Sequence, residues 1–367
     1  MPLKISTIVG ARPQFIKAAV VSRAIRNLNQ NGDVSIQEVI IHTGQHFDHN
    51  MSNVFFNELK IPEPNYNLGI NSCIHGKMTG RMLEKIEMVL LDEKPDWVIV
   101  YGDTNSTLAG ALAAKKLHIK LAHVEAGLRS FNMRMPEEQN RLVADRLSDL
   151  LFCPTENAVK NLKKEGIGES SYGERIVNVG DVMYDAVLFY LDRVGQKSSI
   201  MKELHLETGA YILATIHRAE NTNDPERLGN IFFALNEIAK DRQVLLPLHP
   251  RTKTIIENLD ISIEEIKIIN PVGYLEMMLL ERNCRVILTD SGGIQKEAYF
   301  HQKPCLTLRN ETEWVELVEA GVNFLVGANP NHIIDTLNHL EKHAFNFAQE
   351  FYGDGKGGKR IVETLVQ

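Results

Sequence analysis

The sequence predicts an α/β protein made of two doubly wound parallel-sheet units with a ligand cleft between them. Three observations carry that reading. Short apolar runs alternate with amphipathic stretches along the chain, the pattern of parallel strands covered on both faces by helices. At 367 residues the chain exceeds the roughly 250–300 that one core usually supports, so two units are expected. Residues with chemical potential cluster just after the strands, where ligands bind in such sheets.

The elements follow in order. Ile5 to Val9 is a short apolar strand, followed by Gly10-Ala11-Arg12-Pro13 and a helix from about Phe15 to Leu28. Ile36 to Ile41 is a second strand, ending in His42-Thr43-Gly44-Gln45-His46. Met78 to Leu91 reads as an amphipathic helix. Trp97 to Tyr101 is a strand ending in Gly102-Asp103-Thr104, and the alanine-rich helix Ser106 to Leu117 can pack closely on a sheet. Leu121 to Val124 and the shorter Leu151 to Cys153 complete the first half. The second half repeats the theme with strands at Tyr211 to Thr215, Val244 to Leu248, Ile266 to Ile269, Val286 to Leu288, Cys305 to Leu308 and Phe324 to Val326. Its helices are expected at Pro225 to Asp241, Leu275 to Glu281 and Asn331 to His343. The polar, glycine-rich stretch Lys163 to Gly173 reads as the hinge. The expected domains are therefore 1–170, joined by a C-terminal helix at 351–367, and 171–350.

Composition narrows the function. Hydrophobic residues make up 44% and charged residues 24% of the chain, as in soluble globular proteins. A net charge of −7 argues against nucleic acid as a bulk partner but leaves room for an anionic small substrate. Cys73, Cys153, Cys284 and Cys305 form no paired motif, so no metal site is expected and the cytoplasm is the natural compartment. The N-terminus lacks a secretory signal, and no apolar run reaches the ~18 residues of a membrane span.

The most informative segment is Asp290-Ser291-Gly292-Gly293-Ile294-Gln295-Lys296-Glu297. It reads as a strand, a glycine turn and a helix start. Adjacent glycines let backbone N–H groups approach a ligand, and a helix N-terminus favours negative charge. Glu297, one turn into the helix, is placed to accept bonds from a ribose diol. Together these residues suit a nucleoside diphosphate.

Other candidates also sit at strand ends. Arg12 and Lys17 follow the first strand and suit a phosphate or sugar acid. Asp103, Glu125 and Glu137 with Glu138 follow later strands, and converging carboxylates can support proton transfer. Asp103 could instead cap the alanine-rich helix, and Glu137 and Glu138 could be an acidic first helical turn after Pro136. His217-Arg218 and His249-Pro250-Arg251 read as phosphate and leaving-group contacts. The chain lacks HExxH, GxSxG and GxxxxGK[ST], and with them the signatures of zinc proteases, serine hydrolases and P-loop enzymes; its one GxGxxG match, Gly353 to Gly358, follows no apolar strand run and so lacks the context of a nicotinamide dehydrogenase.

The segments Gly10 to Lys17, Gly102-Asp103-Thr104, His123 to Arg129, Pro136 to Arg141 and Thr289 to Ala298 resemble, in order and spacing, those of the non-hydrolysing UDP-N-acetylglucosamine 2-epimerases. The likeness runs through the ending Tyr352-Gly353-Asp354-Gly355. It implies a GT-B fold of two Rossmann-like domains, a homodimer, a UDP-sugar substrate and no cofactor. It also implies a mechanism in which a base removes the C2 proton, UDP leaves C1, and both return to the 2-acetamidoglucal with C2 inverted. By motif, Asp103, Glu125, Glu137 and His217 are then catalytic. Arg12, Lys17, Arg134, Arg141, His249, Ser291, Gly292, Gly293 and Glu297 are substrate contacts, and Gln45 and His46 belong to an allosteric UDP-sugar site.

This chain departs from the commonest family pattern. It has Gln14 for Glu, Lys296 for Glu, Glu313-Trp314-Val315-Glu316 for Glu-Arg-Pro-Glu, and Arg134 ahead of Pro136. These forms resemble the branch acting on UDP-2,3-diacetamido-2,3-dideoxy-glucuronate for lipopolysaccharide O-antigen. A neutral Gln14 and a cationic Arg134 would both favour a sugar carboxylate. Plain UDP-GlcNAc 2-epimerase is the alternative. A GT-B glycosyltransferase, a hydrolysing epimerase and an inactive UDP-sugar sensor are more remote.

Overall fold

The computed structural model describes residues 2–32, 34–45, 62–168, 173–194, 199–248, 250–340 and 343–367. Among them lie two wholly parallel sheets. The first contains β1 (Leu3–Val9), β2 (Ile36–His42), β3 (Tyr66–Asn67), β4 (Trp97–Tyr101), β5 (Lys120–Val124), β6 (Leu150–Cys153) and β7 (Arg175–Asn178). Their order is β3-β2-β1-β4-β5-β6-β7. The second contains β8 (Tyr211–Thr215), β9 (Gln243–Pro247), β10 (Lys267–Ile269), β11 (Val286–Thr289), β12 (Cys305–Thr307) and β13 (Asn323–Leu325), in the order β10-β9-β8-β11-β12-β13. The central strands are buried on both faces, which is why they read as unbroken apolar runs.

The chain divides into two compact units, Met1–Leu188 with Glu350–Gln367, and Phe189–Gln349. The division falls later than the 170/171 boundary that composition suggested. Lys163 to Gly168 ends a helix (Glu156–Lys164) and turns toward β7, which pairs with β6 from Leu150↔Arg175 to Cys153↔Asn178. Residues 169–172 of the expected hinge lie outside the described residues. β7 was not legible because it is a half-exposed edge strand beginning with Arg175.

The core of each unit follows from its helices. In the first, Gly110 lets the alanine-rich helix Asn105–Lys116 press onto the sheet. A Cβ there would lie 2.8 Å from Ile8 and 3.0 Å from Val100. In the second, Phe232, Leu235 and Ile238 of the helix Pro225–Ala239 pack on Leu246, Leu288 and Leu306. No helix among the described residues is long and apolar enough to cross a membrane.

The final segment is tied into the first unit. Asp181 N–H donates to Tyr352 O at 3.0 Å, and Arg360 Nη1 donates to Val179 O at 3.1 Å. Gly358 meets the helix Arg12–Asn31 so closely that a Cβ would lie 2.6 Å from Val20 Cγ1. Gly358 N–H also donates to the buried Asp185 at 2.8 Å. Burial pushes the Asp185 carboxyl up to about 6, against the smaller opposing effect of the Gly358 and Gly357 amides. Its folded value is raised, so its stability contribution is complete below the ordinary carboxylate range and is lost as pH rises through about 6. Asp185→Asn removes the charge but keeps an acceptor. Its denaturant midpoint should fall less than the wild type's between about pH 4 and 7. Parallel pH profiles for the two proteins would rule Asp185 out as the source.

Candidate active site

Each sheet has one place where the crossovers leave in opposite directions. In the first it lies between β1 and β4, and in the second between β8 and β11. Strand-end loops open apart at such a point and leave a crevice for ligand. The loops after β1, β4 and β5 carry Arg12, Asp103 and Glu125. Those after β8 and β11 carry His217 and Ser291 to Gly293.

The first unit packs its strand ends tightly. Gly10 has no room for a side chain, because a Cβ would sit 2.1 Å from Ser106 Oγ and 2.2 Å from Thr43 Oγ1. Arg12 is partly exposed at the start of its helix. Gln14 is buried. Its Oε1 accepts Gly10 N–H at 2.8 Å and Ala11 N–H at 2.9 Å, while its Nε2 donates to Tyr101 O at 2.7 Å and Thr107 Oγ1 at 3.0 Å. The amide thus laces the β1 and β4 turns together, and a carboxylate could not donate those last two bonds. This corrects the expectation that Gln14 tunes the charge seen by substrate.

Lys17 Nζ meets Glu125 Oε1 at 2.6 Å, with both side chains under one tenth exposed. Glu125 holds a left-handed backbone at φ 73°, a conformation costing a non-glycine residue about 1–3 kcal/mol and typical of functional positions. Bonds from Glu125 N–H and Ala126 N–H to Phe152 O, at 3.0 and 3.1 Å, hold it there. Gly102 abuts this pair, since a Cβ would lie 3.3 Å from Lys17 Nζ and 3.6 Å from Glu125 Oε1.

Asp103 is bound by Arg141, whose other Nη donates to Glu138 at 2.9 Å. Asp103 is not the cap of the alanine-rich helix. Thr104 is, accepting Thr107 N–H. Glu138 is buried and accepts Ser130 N–H, Ser130 Oγ–H and Phe131 N–H. Its role is structural, while its neighbour Glu137 is half-exposed in the first turn of the helix Pro136–Leu147. Arg134 is exposed in the preceding loop, which Gln139 Nε2 braces through Met133 O at 2.9 Å.

Beneath lies a buried cluster that sequence reading missed. His123 faces Asp145 at 2.7 Å and Gly102 O at 2.6 Å, and Arg129 binds both Asp145 and Glu165. Burial alone would raise the Asp145 carboxyl, but the bonds and charges of His123 and Arg129 outweigh it and hold it low. The neighbouring motif residues His123 and Arg129 were its only sequence signal.

In the second unit Ser291 caps the helix Gly292–Phe300 by accepting Ile294 N–H. Neither Gly292 nor Gly293 has a left-handed φ, and the atoms nearest their missing Cβ positions lie no closer than 3.7 Å. The protein itself therefore leaves room for a Cβ at both positions. Glu313 Oε2, Arg218 Nη2 and Arg309 Nη1 lie 3.7, 3.8 and 4.0 Å from the Gly292 Cβ position, and Glu313 pairs with Arg309 at 3.1 Å. Trp314 Nε1–H donates to Gly292 O at 2.8 Å, and Lys296 Nζ stands 4.6 Å from the Trp314 ring. Two of the unusual residues thus form one contact on the turn. Glu297 is buried in the same helix.

Gln45 Oε1 accepts Ser106 N–H and Oγ–H at the start of the alanine-rich helix, the latter from the same hydroxyl that crowds Gly10. His46 and His249 lie outside the described residues.

A family model described as UDP-N-acetylglucosamine 2-epimerase matches residues 27–366. A UDP-2,3-diacetamido-2,3-dideoxy-D-glucuronate 2-epimerase of Pseudomonas aeruginosa is 54% identical over 100% of both chains. A UDP-N-acetylglucosamine 2-epimerase homolog of Methanococcus maripaludis is 53% identical over 99% of both. Among solved structures, Methanocaldococcus jannaschii UDP-GlcNAc 2-epimerase in complex with UDP-GlcNAc and UDP aligns at TM-score 0.89 and 45% identity, over 100% of this chain and 99% of that one.

The room for a Cβ at Gly293 gives a direct test. Gly293→Ala should fold with an unchanged melting temperature yet lose about 1–3 kcal/mol of UDP affinity, the scale of a lost charged hydrogen bond. Calorimetry showing wild-type affinity would mean that no diphosphate approaches this backbone.

Proposed function

The chain belongs to the UDP-N-acetylglucosamine 2-epimerase family, and we propose that it inverts C2 of UDP-2,3-diacetamido-2,3-dideoxy-glucuronate, giving the manno epimer for surface polysaccharide (O-antigen) biosynthesis. The observation that carries the substrate is the 54% identity over the full length of both chains to the Pseudomonas epimerase of that name. Exposed Arg134 supports it, because a guanidinium can clasp a sugar carboxylate in two parallel bonds. A second reading, UDP-GlcNAc to UDP-ManNAc, is favoured by the 53% identical Methanococcus homolog.

The reaction is an elimination and its reverse. A carboxylate takes the C2 proton, the C2–H electron pair becomes the C1=C2 bond, and the C1–O bond breaks with its electrons leaving on UDP. A solvent-exchangeable proton and UDP then add back, with C2 protonated on the opposite face. Nothing is oxidised overall, so the reading needs no cofactor. Asp103, Glu125 and Glu137 act on the sugar. Lys17 and Arg141 set the charge and direction of the first two, and Arg12 contacts the substrate beside them. His217 assists the departing diphosphate, which Ser291, Gly292 and Gly293 hold, and Glu297 takes the ribose. The same reading places a homodimer in the cytoplasm, acting on a UDP-sugar without an acceptor.

Asp103→Asn, Glu125→Gln, Glu137→Gln and His217→Asn should each lower kcat by about 100-fold or more, the scale of lost acid–base participation, with UDP affinity little changed. Near wild-type turnover in any one would remove that residue from the set. The substrate has its own test. Wild-type kcat/KM should be higher for the uronate than for UDP-GlcNAc, and Arg134→Ala should lower it far more for the uronate. Equal losses on both sugars, or faster wild-type turnover of UDP-GlcNAc, would favour the second reading.

A further inference from the structure

We infer that Asp290 is a positioning residue that sets the loop and ring orientation of His217; this rests on the role just proposed for His217. Asp290 follows β11 and is fully buried. A buried carboxylate is costly unless its oxygens are hydrogen-bonded. Among the described residues no Lys or Arg side chain pairs with it. Its partners come mostly from the loop after β8. Oδ2 accepts Arg218 N–H at 3.0 Å, His217 N–H at 3.1 Å and Asn221 Nδ2–H at 3.1 Å, while Oδ1 lies 3.2 Å from His217 N. His217 Nδ1 stands 3.3 Å from the same Oδ1.

Asn221 has its orientation fixed from behind. Its Oδ1 accepts Arg227 Nε at 3.1 Å and Nη2 at 3.0 Å, so its amide nitrogen must point at Asp290 and at Leu308 O, also 3.1 Å away. An asparagine at 290 would turn an amide N–H₂ toward at least one of these donors. The carboxylate is therefore matched to this loop in charge and in hydrogen-bond sense. With a carboxylate oxygen 3.3 Å away, Nδ1 is the nitrogen whose hydrogen Asp290 favours, which leaves Nε2 as the outer nitrogen of a ring that is 53% exposed. Asp290 thus presents one nitrogen of His217 to the ligand.

The test is a double-mutant cycle with a spectroscopic control. Asp290→Asn should lower kcat by about 10- to 100-fold, the scale for outer partners of a functional histidine, while KM and UDP affinity stay near wild type. Added to His217→Asn it should cause almost no further loss. Losses that multiply would show that Asp290 acts independently of His217 and overturn the inference, as would wild-type kcat in Asp290→Asn. Nitrogen-15 NMR of the wild-type protein, recorded where the ring is neutral, should find His217 in the Nδ1–H tautomer, and an Nε2–H tautomer overturns the inference even if Asp290→Asn does not fold. Wild-type turnover in His217→Asn would instead sink the catalytic reading of His217, leaving the tautomer to report on Asp290 alone.

Discussion

A wholly parallel sheet imposes one constraint on which the rest of this structure depends. Every crossover leaves from a strand's carboxyl end, and where neighbouring crossovers leave in opposite directions the strand-end loops part and leave a crevice, whose edges are tied here by side chains. Between β1 and β4 that work falls to Gln14, whose amide joins Gly10 and Ala11 to Tyr101. Between β8 and β11 it falls to Asp290, whose carboxylate joins the His217 loop to the glycine turn. Asp103 and His217 stand on turns beside these two buried groups, while Glu125 and Glu137 are carried by other segments.

Within the first unit the carboxylates are held by cations rather than left in solvent. Glu125 has Lys17, and Asp103 has Arg141, which also grips the loop brace Glu138. Such partly buried pairs contribute less through net attraction than through placement, because removing one partner strands the other. The left-handed Glu125 and the glycine at 102 show how little slack remains around the Lys17–Glu125 contact. The second unit is built differently. Its turn leaves room for a Cβ at Gly292 and Gly293, beside Arg218 and the Arg309–Glu313 pair.

The sequence made the strands and the glycine turn legible because apolar runs and glycine pairs are local signals. Asp103, Glu125, Lys17 and Glu297 were legible as strand-end residues. What escaped depends on distant partners. Gln14 reads as a charge change until Tyr101, 87 residues away, claims its amide. The capping alternative for Asp103 falls only once Thr104 is seen to take that position. Lys163 to Gly173 reads as a hinge because nothing local shows that Arg175–Asn178 pairs with β6. Asp290 reads as part of a phosphate motif, and only the fold reveals its bonds to residues 72 and 73 positions earlier.

The central claim is reversible loss of the C2 proton with departure of UDP, and proton NMR in D₂O tests it most directly. The enzyme, given UDP-2,3-diacetamido-2,3-dideoxy-glucuronate alone, should form the manno epimer with deuterium at C2 and no net release of UDP. Inversion without deuterium at C2, steady accumulation of free UDP, or no change until an acceptor is added would contradict the account.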